Sequence, residues 1–367
     1  MKIQVKKCSP DTIRTRKPVP PKERRATVLP ASCRQLDRLF LPARCRQHDG
    51  GAIYKKFAAI IITFLFATST HAAPTLILIN GAPGTEEYGR LFKKWAGQWE
   101  ATAKQGKAEL HQVSGKDKLK SLLSAQPKNS PEPLWLVMIG HGTFDGKTAK
   151  FNLRGPDLSA AELAEWLKDH ERPLAIINCA SSSAPFINAL SGPNRVILTA
   201  TRSGAEQNFA RLGGHLATAI TDPKADLDKD EQVSLLEAFL TAAHRTAEFY
   251  KTESRLATEH ALIDDNGDTR GTPADWFRGI RVTKETEDGT LPDGLRAHQL
   301  HLIPNEAEQK LSPAIRAKRN TLELQLAKLR TQKKLLDKEE YYQKLEPLLL
   351  QLAKLYELKP STQTQQP

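Results

Sequence analysis

The chain has 367 residues, enough for one large core or two smaller ones, and a formal net charge of +12. Such a charge ordinarily points to nucleic acid or an anionic surface. Here residues 1–56 hold 15 Lys and Arg against 4 Asp and Glu, which leaves 39 basic and 38 acidic groups for the rest. The body is near neutral and has no basic face interleaved with aromatics, so nucleic-acid binding is excluded as its main work.

Residues 1–52 are rich in Pro and Arg, lack a lasting periodicity and read as a disordered or non-native basic extension. Cys8, Cys33 and Cys45 all fall in it. Residues 53–73 read as a signal peptide. Lys55-Lys56 precede the apolar run Phe57 to Ala67, and Thr70-His71-Ala72 gives a small-residue cleavage pattern. Mature protein is then expected to begin at Ala73 or Pro74, exported to a periplasm or the extracellular space. The run is too short for a comfortable membrane span, so no stable span is expected after cleavage. A buried helix or strand is the other reading of it.

From residue 74 strand and helix patterns alternate. Thr75 to Ile79 reads as a buried strand ending at Asn80-Gly81, and residues 85–104 show helical spacing through Tyr88, Phe92, Trp95 and Trp99. Strands are expected at 108–113, 134–139, 174–177 and 195–199, with a short extension at 151–153. Helices are expected at 116–124, after the capping box Ser159-Ala160-Ala161-Glu162, at 205–221 and at 233–251. Continuous apolar strands separated by helices predict an α/β fold with a mainly parallel sheet covered on both faces. Ligands in such sheets sit at the carboxyl ends of the strands, and Asn80, His141, Cys179 and Thr201 all fall there.

Cys179 is the only cysteine after the signal, so it has no internal disulfide partner. It ends one apolar run, and Gly140-His141-Gly142 ends another. A thiol and an imidazole so placed are the parts of a cysteine nucleophile with its base. Gly142 lets backbone approach a substrate carbonyl, and its N–H and that of Cys179 are the natural oxyanion donors. Ser181, Ser182 and Ser183 would line the cleft or form a turn, and no Gly-x-Ser-x-Gly elbow supports a serine hydrolase. A buried structural cysteine beside a strand-end histidine is the competing reading.

The two strand ends, Met138-Ile139-Gly140-His141-Gly142 and Ile176-Ile177-Asn178-Cys179-Ala180-Ser181-Ser182, resemble the clan of cysteine peptidases that holds caspases, legumains and gingipains, in an exported bacterial-type form. The resemblance covers roughly residues 74–220. It implies a caspase-like three-layer sandwich and a cysteine endopeptidase acting on protein or peptide substrates. Asn80 would orient His141, and Thr201 with Arg202 would stand in the primary pocket, where a guanidinium favours acidic or amide side chains. Arg202 pointing to solvent is the bland alternative. The serines after Cys179 depart from the clan's usual glycine, and the caspase Gln-Ala-Cys signature is absent. A catalytically inactive, calcium-stabilised interaction module on the same scaffold is therefore the alternative function.

The peptidase-like domain is taken as 74–300, and two acidic loops lie in it. In 226–237 oxygen donors fall at Asp226, Asp228, Asp230, Ser234 and Glu237, with the Gln232 carbonyl between them, the spacing of an EF-hand calcium loop. Glu231 stands where glycine is usual. Favourable acids at a helix start would look similar. The loop 264–275 begins the same way but closes on Asp275, too short for the final ligand, and an Asx-rich turn explains it as well. No zinc spacing is present among the histidines. Residues 305–358 read as an amphipathic helical hairpin that packs on itself or on the body, with self-association through a coiled coil as the sharper alternative, and 359–367 as a disordered tail.

Overall fold

A computed structural model describes residues 73–283 and 291–357. The signal segment through residue 72 and the tail from 358 lie outside them. Five parallel strands form the centre: β1 (Thr75–Asn80), β2 (Glu109–Val113), β3 (Leu134–Ile139), and, further along, Leu174–Asn178 and Arg195–Thr199. Between β3 and Leu174 in the chain, β4 (Gly142–Phe144), β5 (Ala149–Phe151) and β6 (Leu158–Ser159) make a small antiparallel sheet of their own. The fourth and fifth central strands are therefore β7 and β8, and β9 (Leu262–Asp264) and β10 (Thr272–Pro273) extend the edge antiparallel. The main sheet runs β10-β9-β8-β7-β3-β1-β2. From β1 the chain goes first to β2 on one side and then to β3 on the other, which puts a switch point at the carboxyl ends of β1 and β3.

Alternate side chains of each central strand enter separate cores, because a strand repeats every two residues. Leu76, Leu78, Val137, Ile139, Ala175, Ile177 and Cys179 face α1 (Glu86–Gln105), and two later helices; Ile77, Ile79, Leu136, Met138, Ile176 and Ala180 face α2 (Lys116–Ala125), α3 (Ala160–Leu167) and α4 (Pro185–Leu190). The helices completing the first layer are α5 (Leu212–Ala219) and α6 (Leu235–Thr252). In α1 the buried Phe92, Trp95, Trp99 and Ala103 recur at helical spacing, and Thr85 caps its start by accepting from the Tyr88 amide at 3.3 Å. The expected helix at 205–221 is shorter than its pattern, because residues 205–211 form an irregular loop before α5.

After α6 come the short hairpin β11 (Phe277–Arg278) and β12 (Arg281–Val282), then α7 (Leu295–His298), α8 (Glu306–Gln309), α9 (Pro313–Thr331) and α10 (Lys338–Glu357). α9 and α10 pack as the expected hairpin. Arg319 holds Glu308 through both oxygens, at 2.5 and 2.9 Å, and Arg316 reaches Glu132 at 3.2 Å, so α9 is tied to the sandwich by largely buried ion pairs. Among the described residues no helix is long and apolar enough to cross a membrane. The chain is thus a three-layer α/β sandwich with a mainly parallel sheet and an appended helical hairpin.

Candidate functional site

His141 and Cys179 stand at the carboxyl ends of neighbouring parallel strands, and the two-residue repeat turns both toward the α1 and α5 layer. They are not joined there. His141 Nε2 lies 3.1 Å from the Pro83 carbonyl, so that nitrogen carries the proton and donates to backbone. The imidazole is boxed by Tyr88 at 4.8 Å, Phe92 at 5.2 Å and Phe209 at 5.9 Å between ring centroids. Trp95 stacks on Phe209 at 5.8 Å, and its ring lies beside Gly213, the residue of α5 that packs on Cys179.

Cys179 is 1 % exposed, and its sulfur has no hydrogen-bond partner among the described residues. Burial, with the nearby Glu259 carboxylate as a smaller cause, pushes the thiol up to about 12. Gly213 is obligatory at this contact: a Cβ on it would fall 2.8 Å from Cys179 Cβ and 3.2 Å from its sulfur. α5 is held in place from its start. The Glu259 carboxylate accepts from the Arg211 and Leu212 amides at 2.8 and 3.0 Å and from the Tyr250 hydroxyl at 3.0 Å. The loop before α5, which carries Phe209, is braced by Glu206, which pairs with His260 at 2.5 Å.

The remaining expected site residues lie at the strand ends, each with partners of its own. Asn80 donates to Gln112 on β2 at 3.4 Å and not to His141. The Cys179 N–H donates to the Met138 carbonyl at 3.0 Å and the Gly142 N–H to Ser181 Oγ at 3.3 Å, so neither amide is free for an oxyanion. Ser181 is buried and also donates to the Gly142 carbonyl at 3.0 Å, which stitches two strand ends together instead of lining a cleft. Thr201 is fully buried and accepts from the Ser183 and Ala184 amides at 2.8 and 3.2 Å. Arg202 is turned outward, 62 % exposed, against Glu206 at 3.3 Å. The side chain nearest Gly142 across the strand end is Ala180, on the opposite face from Cys179.

The loop before α6 is differently disposed. Oxygens of Asp226, Asp228 and Asp230 lie within 4.8 Å of one another, and ligand atoms of Asp228, Glu237 and His298 do so as well. Separations of that size suit oxygens around one calcium ion. Asp226 accepts from the amides of Lys229, Asp230 and Glu231 at 2.6 to 3.2 Å. Lys229 and Glu231 have positive φ, 65° and 68°, so Glu231 adopts the left-handed turn that glycine makes more cheaply. Glu237 is fully buried and aims one oxygen back at the Leu227 amide, 2.7 Å away. Ser234 instead serves the capping box of α6, its hydroxyl donating to Glu237 at 2.8 Å, and the Gln232 side chain bonds Asp230 at 2.8 Å. The spacing alone did not bring in His298, whose Nε2 meets Asp228 at 2.9 Å from 70 residues away. Nor did it bring in Phe209 or Glu259; the helical recurrence of Tyr88, Phe92 and Trp95 was the one available sign of an aromatic box.

No family model and no curated protein matches the chain. Among solved structures, the initiator caspase Dronc of Drosophila is 11 % identical with a TM-score of 0.37, over 60 % of this chain and 89 % of its own. Caspase-1 of Spodoptera frugiperda is 10 % identical with a TM-score of 0.37, over 55 % of this chain and 89 % of its own. The sandwich described above rests on the chain's own strand order.

Proposed function

We propose that the chain is an exported, calcium-stabilised protein- or peptide-binding module that has the sandwich scaffold and no working cysteine nucleophile. The observation that carries this is the state of the thiol: Cys179 is 1 % exposed, neutral through burial, and unbonded to His141, whose Nε2 is given to Pro83. A nucleophilic cysteine needs thiolate character, and an accessible sulfur with an adjacent base supplies it. The acidic loop 226–237 supports the calcium, and the exposed Tyr342, Leu349 and Leu350 of α10 support self-association through the C-terminal hairpin. Peptide-based, cysteine-directed probes and a fluorogenic peptide library applied to the calcium-loaded protein are expected to give neither labelling nor turnover. Turnover lost in Cys179→Ala would overturn the proposal.

A second reading is favoured by one observation: His141 and Cys179 share a face at adjacent parallel strand ends. As an endopeptidase, the chain would use Cys179 to attack the scissile carbonyl and His141 to move the proton. That requires the Phe209 loop and α5 to withdraw first, and the same probe experiment decides between the two.

A further inference from the structure

The loop between β9 and β10 repeats the backbone of the acidic loop before α6. Its first, third and fifth positions are Asp264, Asn266 and Asp268, where the other loop has Asp226, Asp228 and Asp230. Positive φ falls at the fourth and sixth positions in both: Gly267 (85°) and Thr269 (68°) here, Lys229 (65°) and Glu231 (68°) there. The first side chain accepts from the fourth amide in both, Gly267 to Asp264 at 3.2 Å and Lys229 to Asp226 at 2.6 Å. The fifth accepts from the seventh, Arg270 to Asp268 at 2.8 Å and Gln232 to Asp230 at 3.2 Å.

What separates a site from a turn is the unmet polar atom. Asp264 is 1 % exposed, and while its Oδ1 takes the Gly267 amide, its buried Oδ2 has no hydrogen-bond partner. A buried carboxylate oxygen left bare is costly unless something compensates it. The carboxyl is set against two amides of its own loop, Gly267 and Thr269. The Ser191 hydroxyl and the Asp268 carboxylate lie close to the same carboxyl.

We propose a second calcium site here, built from Asp264 Oδ2, the Asn266 side-chain oxygen, Asp268 and the Arg270 carbonyl. All four donors are oxygens, the chemistry of a hard cation. The site is weaker than the one before α6. Asp275, at the twelfth position, is exposed, and the Thr272 hydroxyl is given to Asp293 at 2.6 Å, so water completes the shell. Two carboxylates without a closing glutamate place the affinity near Kd of about 10⁻⁴–10⁻³ M, the range of extracellular modules. Bound calcium would fasten the edge strands β9 and β10 to the end of α4, through Ser191, which accepts from Thr269 at 3.1 Å.

The test is equilibrium dialysis of the full chain against calcium chloride at about 5 mM, well above that range, with Asp228→Asn and Asp268→Asn as separate variants. Two ions per chain are expected, falling to one in each variant, with a cooperative melt of Asp268→Asn in chelator showing that it folds. Asp264→Asn is expected to lose the same ion as Asp268→Asn, and if it fails to fold, Asp268→Asn alone decides. Asp268→Asn binding as many ions as the native chain would overturn the second site whatever Asp228→Asn does. Loss of all binding in Asp228→Asn would overturn it while leaving the first calcium loop standing.

Discussion

The strand ends and the loop before α6 are both clusters of chemically able residues, and they are finished in opposite ways. At the strand ends the groups that cysteine chemistry would use, apart from the thiol, are spent on neighbours: His141 on Pro83, the Gly142 amide on Ser181, the Cys179 amide on Met138. In the loop the amides point inward at carboxylates, and the carboxylates still converge within 4.8 Å. Packing has closed the first cluster and preorganised the second. Residue type alone does not make a site; it also needs valence left over after folding.

The sharpest way to break that contrast is the reactivity of Cys179. With the thiol near 12, its thiolate fraction at pH 8 is about a thousandfold below that of a free cysteine, before access is counted. Iodoacetamide should leave Cys179 unmodified in the fold and react on denaturation, as peptide mass mapping will show. Labelling of the native protein at the rate of free cysteine would mean the strand ends are open.

Calcium comes next. A ligand specific to the fold stabilises by about 2.7 kcal/mol at a hundredfold excess over Kd, roughly 5 °C for a body of this size. At calcium concentrations below the range of the second site, chelation should lower Tm by that order, and Asp228→Ala should remove the difference. An identical melt with and without chelator would reduce the loop to a helix cap.

Gly213→Ala probes the closed site by packing. Its methyl would meet Cys179 and Trp95 at 2.8 to 3.3 Å, and crowding of this kind costs about 1–3 kcal/mol. Urea unfolding is the measurement; no loss of stability would mean α5 is loosely seated and the cleft can open.

The smallest effect is in pH. Asp293 accepts from the Asp265 and Asn266 amides at 2.8 and 3.1 Å, and burial together with the Asp265 charge raises its pKa. The folded chain therefore holds a proton that the unfolded chain releases. This stability is full below about pH 4, and is lost as pH rises through the folded pKa. Calcium-free melts should show Asp293→Asn with a flatter decline above pH 4 and a higher Tm at pH 8 than the native chain. A parallel decline in both would assign the slope to other groups.

Much of the sandwich was legible because strands such as Leu134–Ile139 are apolar on both faces, and α1 repeats aromatics at helical spacing. The short sheet β4–β6 was less so: it depends on pairing Gly142 with Phe151 and Lys150 with Ser159, contacts that no local pattern encodes. At the candidate site the strand-end placement of His141 and Cys179 could be read, but their burial could not. It is imposed by Phe209 and Gly213, from 30 and more residues downstream, and by Glu259, which seats α5. The carboxylates of 226–237 could be read as a set since consecutive loop positions fix their own geometry, whereas His298 joins them only through the tertiary fold.

The sealed thiol gives the molecule a built-in gauge. In the chain from residue 74 Cys179 is the single cysteine, and α5 packs directly over it through Gly213. Its exchange with a disulfide reagent therefore clocks the opening of the layer that covers it, and its dependence on reagent concentration yields the local free energy of that opening. The same sulfur stays silent toward oxidants for as long as the layer holds, so a lone cysteine that reads as a hazard in an oxidising compartment is kept harmless by a glycine.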